Sequence, residues 1–255
     1  MKDGLPLRKL PMEGTIDVWL IDLDRPLGSE VKLDNILSGE ERNRAERFIF
    51  SRYASRFRLC RAMLRLGLAG YLQQNPQEIV LTANCHGKPR LDANSALHFN
   101  VTHSDGLGAI AFTTAGEVGI DVEAYQRDVE ALDIANANFT RNEAAMIAEA
   151  LSPQEQVRIF LRLWTRKEAV LKAAGCGIPY GLDKVDVSQL SVNLVRLIGA
   201  RSEIPGPCWR VQDLESIDGF AGAIAAPAGD WSILQRAVSY EDVIDGFAGK
   251  FAGLL

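Results

Sequence analysis

One carboxylate and one amine stand a helical turn apart in the segment Trp164–Gly175. This segment predicts a helix, because it contains good helix formers, has no internal proline and ends in a glycine. At about 3.6 residues per turn, Trp164, Glu168 and Lys172 lie near one face. That face joins an aromatic ring, a carboxylate and an ammonium group. Taken alone, the spacing of Glu168 and Lys172 is also that of an ordinary surface ion pair.

A second acidic motif lies upstream, in the segment Gly119–Glu123. Apolar residues alternate with other residues from Val118 onwards, which predicts a strand with Asp121 and Glu123 on one face. Two like charges about 7 Å apart on a sheet face repel each other unless a cation lies between them. The pair is therefore either a solvated outer face or part of a site for Mg²⁺, which takes oxygen ligands. Glu168 could supply a third carboxylate if its helix packs across the end of this strand.

Positive charge is concentrated in a short stretch in which the only acid is Glu46. The stretch contains eight arginines: Arg42, Arg44, Arg47, Arg52, Arg56, Arg58, Arg61 and Arg65. Such a cluster can be a solvated helix face. It can also be an anion site, because guanidinium groups match phosphate oxygens, or a surface for an acidic protein partner.

The composition narrows the class of protein. The 255 residues allow one large domain or two small ones, and 47% hydrophobic with 24% charged residues is typical of a soluble globular protein. No apolar run approaches the ~20 residues that span a bilayer, and the N-terminus lacks the apolar core of a signal peptide. Four separated cysteines without a C-x-x-C motif favour reduced thiols, so we expect a cytoplasmic protein without membrane contact. A net charge of −5 argues against a general nucleic-acid binder.

Helices and strands alternate irregularly along the chain. Helices are predicted over about Ser38–Gln74, which can break near Ser51, over Asn142–Ala150, and from the proline break at Pro153 to Ala174. Strands are predicted over Thr15–Leu23, Ile79–Thr82, Phe99–Val101, Gly108–Phe112, the Asp121 segment, Val185–Leu197, Cys208–Leu214 and Gly219–Ala225. A turn is predicted at Ile204–Pro207. Helices that cover mostly antiparallel strands make an α+β fold.

Four motifs occur in one order over roughly residues 40 to 190. Gly87-Lys88-Pro89 and the segment His98–Ser104 precede the Gly119–Glu123 strand, and Trp164-x-x-Lys167-Glu168-Ala169-x-x-Lys172-x-x-Gly175 follows it about 45 residues later. Together they resemble the signature of the 4′-phosphopantetheinyl transferases, of the longer surfactin-synthetase-activating type. In that family the first motif is an adenine-side turn and the second a nucleotide-binding strand and turn.

The resemblance implies two pseudo-symmetric α+β halves, each a mostly antiparallel sheet packed with helices, with the active site at their interface. We place the boundary near Gly116. Residues 1–116 would then form the coenzyme A side, and residues 117–255 would carry the metal and catalytic residues. A faint internal echo between Phe57…Arg65 and Trp164…Lys172 agrees with two halves. Two fused halves need no partner subunit, so we expect a monomer.

The resemblance also implies the metal and catalytic groups of the second half. Asp121, Glu123 and Glu168 would hold Mg²⁺, or Mn²⁺ in its place. Glu168 would bind the metal, activate the nucleophile, or do both, and the sequence does not separate these roles. Lys172 would approach the pyrophosphate and neutralise the charge that builds up on the leaving group.

Glu143 is a further catalytic candidate, because the family has a functional glutamate at this point. It also follows Thr140 at the spacing of a capping box, so a structural role stays open. Lys167 lies about 100° around the helix from Glu168 and can be a surface lysine.

A coenzyme A site is implied mostly in the first half. Its expected contacts to the adenine, ribose and phosphate groups are Arg44, Arg56, Gly87, Lys88, Pro89, Arg90, Thr102, His103 and Lys172. Of these, Arg44, Arg56, Thr102 and His103 would lie near the 3′-phosphate. Family members usually carry serine where Thr102 stands, so only the hydroxyl group is retained.

The implied reaction transfers the 4′-phosphopantetheine arm of coenzyme A to a serine of an acyl or peptidyl carrier protein and releases adenosine 3′,5′-bisphosphate. Such carriers are acidic around the target serine, so a basic rim would steer them. Two other classes stay open. A Mg²⁺-dependent nucleotide or pyrophosphate hydrolase would turn over coenzyme A without a carrier. A non-catalytic carrier-binding protein would bind the carrier without transfer.

Overall fold

The computed structural model describes residues 10–28, 32–126, 129–189, 194–197, 208–215 and 217–246. Within these residues the first part of the chain forms β1 (Thr15–Asp22), α1 (Gly39–Glu46), α2 (Ser51–Leu72), β2 (Thr82–Ala83), β3 (Pro89–Arg90), β4 (His98–Ser104) and β5 (Leu107–Thr113). The second part forms β6 (Gly119–Ala124), α3 (Ala131–Asn138), α4 (Arg141–Ala148), α5 (Pro153–Ala174), β7 (Leu194–Arg196), β8 (Cys208–Asp213), β9 (Phe220–Pro227), β10 (Ser232–Ala237) and α6 (Tyr240–Gly246). The predicted α+β class is confirmed.

The first sheet has the strand order β10-β1-β5-β4. Strands β1, β5 and β4 pair antiparallel, whereas β10 returns from the end of the described chain and pairs parallel to β1. Helix α2, 22 residues long, covers this sheet over a buried core that includes Trp19, Phe99 and Phe112. A Cβ atom at Gly67 of α2 would overlap the Phe112 ring, so glycine is needed for this close packing.

The second sheet has the strand order β6-β9-β8-β7, and all its pairs are antiparallel. Helix α5, also of 22 residues, packs on this sheet through an apolar cluster that includes Val170, Leu171 and Ala223. A Cβ atom at Gly119 would overlap the Ala169 carbonyl oxygen of α5. Glycine at this position therefore lets the helix backbone approach the start of β6 closely.

The two halves meet along the edge strands β4 and β6. The Asn100 carboxamide of β4 accepts a hydrogen bond from the Ile120 N–H (2.9 Å), and the Ser104 hydroxyl accepts one from the Ala124 N–H (3.2 Å). The two strands therefore run side by side in the same direction, joined by side chains. Beneath them lies a third apolar cluster, which contains Ile16 and Val18 of the first sheet and residues of the second such as Ile120, Val122 and Ile224.

Several predicted elements are confirmed. The long N-terminal helix breaks before Ser51 into α1 and α2, and the β4–β5 hairpin forms as expected. Helix α5 begins with Pro153 and ends at Gly175, which adopts the left-handed conformation with φ +71°. All four cysteines are free thiols. No helix in the described part of the chain is long and apolar enough to cross a membrane.

Other predicted elements are wrong. The strand predicted over Ile79–Thr82 is reduced to the two-residue β2, and Ile79 is instead buried in the core. Of the single strand predicted over Val185–Leu197, only β7 forms: residues 186–189 are irregular, Val185 makes only an isolated bridge to Leu197, and residues 190–193 lie outside the described part of the chain. Among the helices and strands named above, β3, α3, β10 and α6 were not predicted. The turn predicted at Ile204–Pro207 lies outside the described residues.

Candidate active site

Asp121 lies on the face of β6 that α5 covers, and the residue is only 4% exposed. Lys172 of α5 donates to Asp121 Oδ1 at 2.6 Å and to the Ile120 carbonyl oxygen at 3.2 Å. The interpretation of Asp121 as part of a solvated outer face is therefore wrong. So is the surface pair of Glu168 with Lys172, because Glu168 is 7% exposed and the ion-pair partner of Lys172 is Asp121.

Hydroxyl groups of β4 bind the carboxylates of β6 across the junction of the two halves. Thr102 Oγ1 donates to Asp121 Oδ1 at 3.1 Å and lies 3.2 Å from Lys172 Nζ. Ser104 Oγ donates to Glu123 Oε2 at 2.7 Å. Ser104 was not predicted as a site residue. It lies two positions after Thr102 on β4, so the two hydroxyl groups lie on the same face of the strand, and this spacing could have identified it. Strand β4 thus fixes the positions of both acidic side chains.

Glu168 lies one helical turn before Lys172 on α5 and titrates at an unusual pH. Burial raises its pKa to about 7; the negative charges of Asp121 and Glu123 add to this rise, and Lys172 offsets part of it. Burial also raises the pKa of Asp121, against the lowering effects of Lys172 and Thr102. The three predicted metal-binding carboxylates therefore influence one another electrostatically, even though they come from distant parts of the chain.

Two oxygens of this group are buried without a hydrogen-bond partner: Asp121 Oδ2 and Glu168 Oε1. An unsatisfied buried polar atom is costly, so these oxygens favour a bound cation between or beside them. Within the described residues, however, no three carboxylate, imidazole or thiol groups are gathered tightly enough to hold a metal ion by themselves.

Glu143 lies in a different environment from the Asp121 group. Its Oε2 accepts from Thr140 N–H at 2.9 Å and its Oε1 from Val187 N–H at 2.8 Å, so the predicted capping box is confirmed. Lys167 pairs with Glu143 at 2.6 Å and also binds the Leu182 and Val185 carbonyl oxygens. Both side chains are fully buried, so the surface interpretation of Lys167 is wrong. The contacts of Glu143 are those of a structural ion pair that joins α4 to α5.

Several cations of the predicted coenzyme A site lie around His103. This residue reaches the surface near the end of β4, yet its pKa is lowered by burial of the ring and then by the charges of Lys172, Arg44 and Arg56. The charges of these three cations act on the ring and the carboxylate of Glu123 opposes them, so the surroundings of His103 are net positive, which favours an anion such as a phosphate group.

Arg56 is held in place by Asp24, which was not predicted as a site residue. The Arg56 guanidinium donates to both Asp24 oxygens, at 2.8 and 2.6 Å, and the exposed Arg52 also pairs with this carboxylate at 2.8 Å. The hydrogen bonds from Arg56 and Arg52 lower the pKa of Asp24 strongly. Nothing in the local sequence around Asp24 signalled this role, because its partners lie about thirty residues further along the chain.

The turn that contains Gly87–Pro89 is hydrogen-bonded to the end of α5. Asn84 donates to the Gly175 carbonyl oxygen at 2.9 Å, and Gly87 takes a positive φ of +82° with open space around it. Lys88 does not point freely into solvent: it pairs with Glu117 at 2.6 Å and donates to the Val118 carbonyl oxygen at 3.0 Å. The adjoining Pro89 and Arg90 form β3, with Arg90 exposed.

The remaining arginines of the basic stretch serve several purposes. Arg61 and Arg65 both bind the buried Glu41, and Arg65 also donates to the Pro76 carbonyl oxygen at 2.6 Å. Arg58 pairs with Asp34 at 3.1 Å. These three arginines therefore stabilise the fold around α1 and α2.

The protein has an α+β fold of two halves, and the charged groups at their junction suit an anionic substrate. Carboxylates, an ammonium group and hydroxyl groups meet between β4, β6 and α5, and arginines flank them. Two family models match adjacent parts of the chain. The model of the 4′-phosphopantetheinyl transferase superfamily matches residues 117–225, and that of the N-terminal part of 4′-phosphopantetheinyl transferases matches residues 26–115.

Curated relatives agree over most of the length. The 4′-phosphopantetheinyl transferase HetI of Nostoc sp. is 32% identical over 219 residues, which cover 85% of this chain and 89% of that protein. The 4′-phosphopantetheinyl transferase Sfp of Bacillus subtilis is 27% identical over 89% of this chain and 99% of its own length. The chain belongs to the 4′-phosphopantetheinyl transferase family. The predicted family and enzyme class are therefore confirmed.

Proposed function

We propose that this protein transfers the 4′-phosphopantetheine arm of coenzyme A to a serine of an acyl or peptidyl carrier protein and releases adenosine 3′,5′-bisphosphate. One observation carries the proposal beyond the family membership. The Lys172–Asp121–Thr102 group, with the partner-free oxygens of Asp121 and Glu168, lies at the junction of the two halves. An ammonium group beside unsatisfied carboxylate oxygens suits a substrate that brings both a pyrophosphate and a metal ion.

The donor set fits a divalent cation. Asp121 and Glu168 each have a buried oxygen without a partner, and Glu123 contributes negative charge to the same place. Together with waters and substrate phosphates, which complete such sites in general, these three carboxylates would hold Mg²⁺, with Mn²⁺ as an equally oxygen-seeking substitute. When bound, the metal ion would offset the negative charge of the pyrophosphate during transfer.

Lys172 is suited to stabilise the negative charge of the leaving group. Its ammonium group is held by three acceptors from β4 and β6, and its side chain is a quarter exposed. A cation fixed before the substrate arrives needs little reorganisation as charge builds on the departing bisphosphate. In the proposed step, the serine oxygen forms a bond to the pantetheine-bearing phosphorus, and the bond from that phosphorus to the adenosine-side bridging oxygen breaks.

Glu168 is suited to take the serine proton. The residue is only 7% exposed and its Oε1 is buried without a hydrogen-bond partner, so this oxygen is available to accept the proton. Its position one turn from Lys172 would let base and leaving-group cation act on the two ends of the same reaction. Glu143 remains in the proposal only as a support for α5, through its buried pair with Lys167.

The coenzyme A nucleotide would occupy the first half. The positive environment of His103, made by Arg44, Arg56 and Lys172, supports binding of the 3′-phosphate there, beside Thr102. The exposed turn at Gly87 would approach the adenine, with Lys88, Pro89 and Arg90 along the ribose and phosphate side. The contact between Asn84 and Gly175 supports this, because it joins the turn to the helix that carries Lys172.

The proposed partner is an acidic carrier protein, and we propose that the enzyme works as a cytoplasmic monomer without nucleic acid or membrane. Intact-protein mass spectrometry tests the reaction. Apo carriers of several types are incubated with coenzyme A, with and without Mg²⁺. We expect at least one carrier to gain the mass of phosphopantetheine only when Mg²⁺ is present. Release of adenosine bisphosphate without any carrier, and without modification of any carrier, would instead indicate a hydrolase.

A further inference from the structure

An apolar patch is exposed at the corner between α1 and α2. We call the side chains of Phe48, Ile49, Phe50 and Tyr53 the corner patch. Ile49 is 92% exposed, Phe50 65% and Tyr53 52%. The ring centroids of Phe50 and Tyr53 lie 5.9 Å apart, so these side chains form a contiguous apolar surface and are not isolated from one another. Large contiguous apolar surfaces on a folded protein commonly mark a binding site.

The corner patch is continuous with the proposed coenzyme A site. The ring centroids of Phe48 and Phe57 lie 5.4 Å apart. The Arg44 guanidinium lies over the ring of Phe57, 5.2 Å from its centroid. Arg44 in turn is one of the cations that lower the pKa of His103. A molecule seated on the patch would therefore lie next to the place where the phosphates are expected.

The charges around the corner patch are predominantly positive. Arg47 and Arg52 are exposed near it, with Arg52 also paired with Asp24, and the exposed Arg44 lies between the patch and the proposed coenzyme A site. An apolar centre within a cationic rim fits a partner that presents apolar side chains surrounded by acids. This complement matches an acidic carrier better than a second copy of this chain, because two copies would bring two arginine rims together.

We infer that the corner patch is the docking surface for the acidic carrier protein, which binds through apolar contacts to Ile49 and Phe50 while the arginine rim attracts its acids. This inference rests on the proposed function. It adds the place at which the carrier sits, so that the carrier serine faces the junction with Lys172 and Glu168. The coenzyme A site and the carrier site are then neighbouring but separable surfaces.

The test uses a double variant, Ile49→Ser with Phe50→Ser. Both side chains are largely exposed, so the fold should be retained. The matched control is Leu151→Ser, because Leu151 is 94% exposed and precedes the start of α5, at the opposite end of that helix from Lys172. We expect the KM for the carrier to rise about tenfold or more in the double variant. The kcat and the KM for coenzyme A should stay unchanged, and the control should behave like the wild type.

Direct binding keeps this inference separate from the proposed reaction. Calorimetric titration of apo carrier into the wild-type enzyme, without coenzyme A or metal, should show binding that the double variant loses and the control keeps. An unchanged carrier KM and affinity in the double variant would overturn the docking surface while leaving the transfer reaction intact. Self-association of the wild type that disappears in the double variant would assign the patch to a second copy instead. Carrier binding without any transfer would leave the docking surface standing and reject the reaction.

Discussion

Lys172 and Asp121 form an ion pair, 2.6 Å from Nζ to Oδ1, between residues that are 51 positions apart in the chain. The pair exists because α5 packs directly on the start of β6. It also leaves the second Asp121 oxygen without a partner. A side chain that is half neutralised in this way can retain an ammonium group on one oxygen and bind a metal ion through the other. The pair therefore links the two charges that the proposed transfer needs.

Replacement of the Lys172 ammonium should separate catalysis from binding. In Lys172→Met, we expect kcat to fall by roughly 10²–10³-fold, because a fixed cation near the leaving group is lost. The KM for the carrier should change little. Rapid-mixing assays with mass detection of the modified carrier measure both constants. The control is Lys184→Met, which removes an exposed lysine that lies over the Tyr180 ring. A kcat close to that of the wild type would return Lys172 to a purely structural role.

Glu168 should make the stability of the metal-free protein depend on pH. Its folded-state pKa, about 7, lies above the ordinary value of 4.5. As pH rises from 4.5 towards 7, the unfolded chain loses this proton first, so the folded state loses stability through Glu168. In Glu168→Gln this loss is absent. The variant should therefore gain roughly 3 kcal/mol over the wild type between pH 4.5 and pH 8.

Urea unfolding in the presence of a chelator measures this difference at pH 5 and pH 8. The control is Glu149→Gln, since Glu149 is an exposed carboxylate at the end of α4. Mg²⁺ added at pH 8 should stabilise the wild type more than the Gln variant, because one ligand is missing in the variant. A stability difference that does not change with pH would show that Glu168 titrates as an ordinary glutamate.

Arg56 and Arg52 offer a matched pair for the coenzyme A site, because both bind Asp24 but only Arg56 is buried near His103. In Arg56→Ala, we expect the KM for coenzyme A to rise about tenfold or more, because a charged contact to the 3′-phosphate is lost. The KM for dephospho-coenzyme A, which lacks that phosphate, should change far less. Arg52→Ala should leave both constants close to the wild type. Equal losses for the two substrates in Arg56→Ala would reject the 3′-phosphate assignment.

The sequence predicts the chemistry of the site better than the packing that builds it. The strand around Asp121 and the helix around Glu168 follow from local alternation and helix propensity, and the resemblance joins them. The roles of Asp24 and Glu117 could not be predicted, because each depends on a partner in another element. The first part of the strand predicted over Val185–Leu197 is wrong for a related reason: its apolar residues Val185 and Val187 belong to an irregular segment and are buried in the same apolar cluster as residues of α4 and α5.

The end of the chain shows the same limit. Strand β10 contains Gln235 and Arg236 between apolar residues, so its pattern alone is weak. It forms because it pairs parallel to β1, and Arg236 binds the buried Asp17 of that strand at 2.7 Å. Such a contact, across more than two hundred residues, has no local signal. Pairing along a sheet edge thus decides the structure of segments whose own preferences do not.

Replacement of Glu143 should lower the free energy of unfolding more than it affects the chemical step. Its carboxylate is fully buried, caps α4 and pairs with Lys167. In Glu143→Ala, Lys167 would be left as a buried unpaired cation, so we expect the free energy of unfolding to fall by about 3–5 kcal/mol. Double replacement, Glu143→Gln with Lys167→Met, should recover part of this loss. Denaturant unfolding measures both, and kcat is measured on the fraction that remains folded. A large fall in kcat without loss of stability would restore Glu143 to the catalytic group.

Gly119 tests whether close packing of α5 on β6 sets the position of Lys172. A Cβ atom there would overlap the Ala169 carbonyl oxygen, which belongs to the helix backbone, and no side-chain rotation moves either atom away. Gly119→Ala should therefore displace α5 or lower the free energy of unfolding by about 1–3 kcal/mol. In the folded fraction, kcat should fall more than the KM for coenzyme A rises, because Lys172 and Glu168 move together with the helix. The control is Gly229→Ala, since Gly229 has open space around it. Wild-type stability and kcat in Gly119→Ala would mean that the helix can shift without disturbing the ion pair, and the proposed dependence of catalysis on this packing would be wrong.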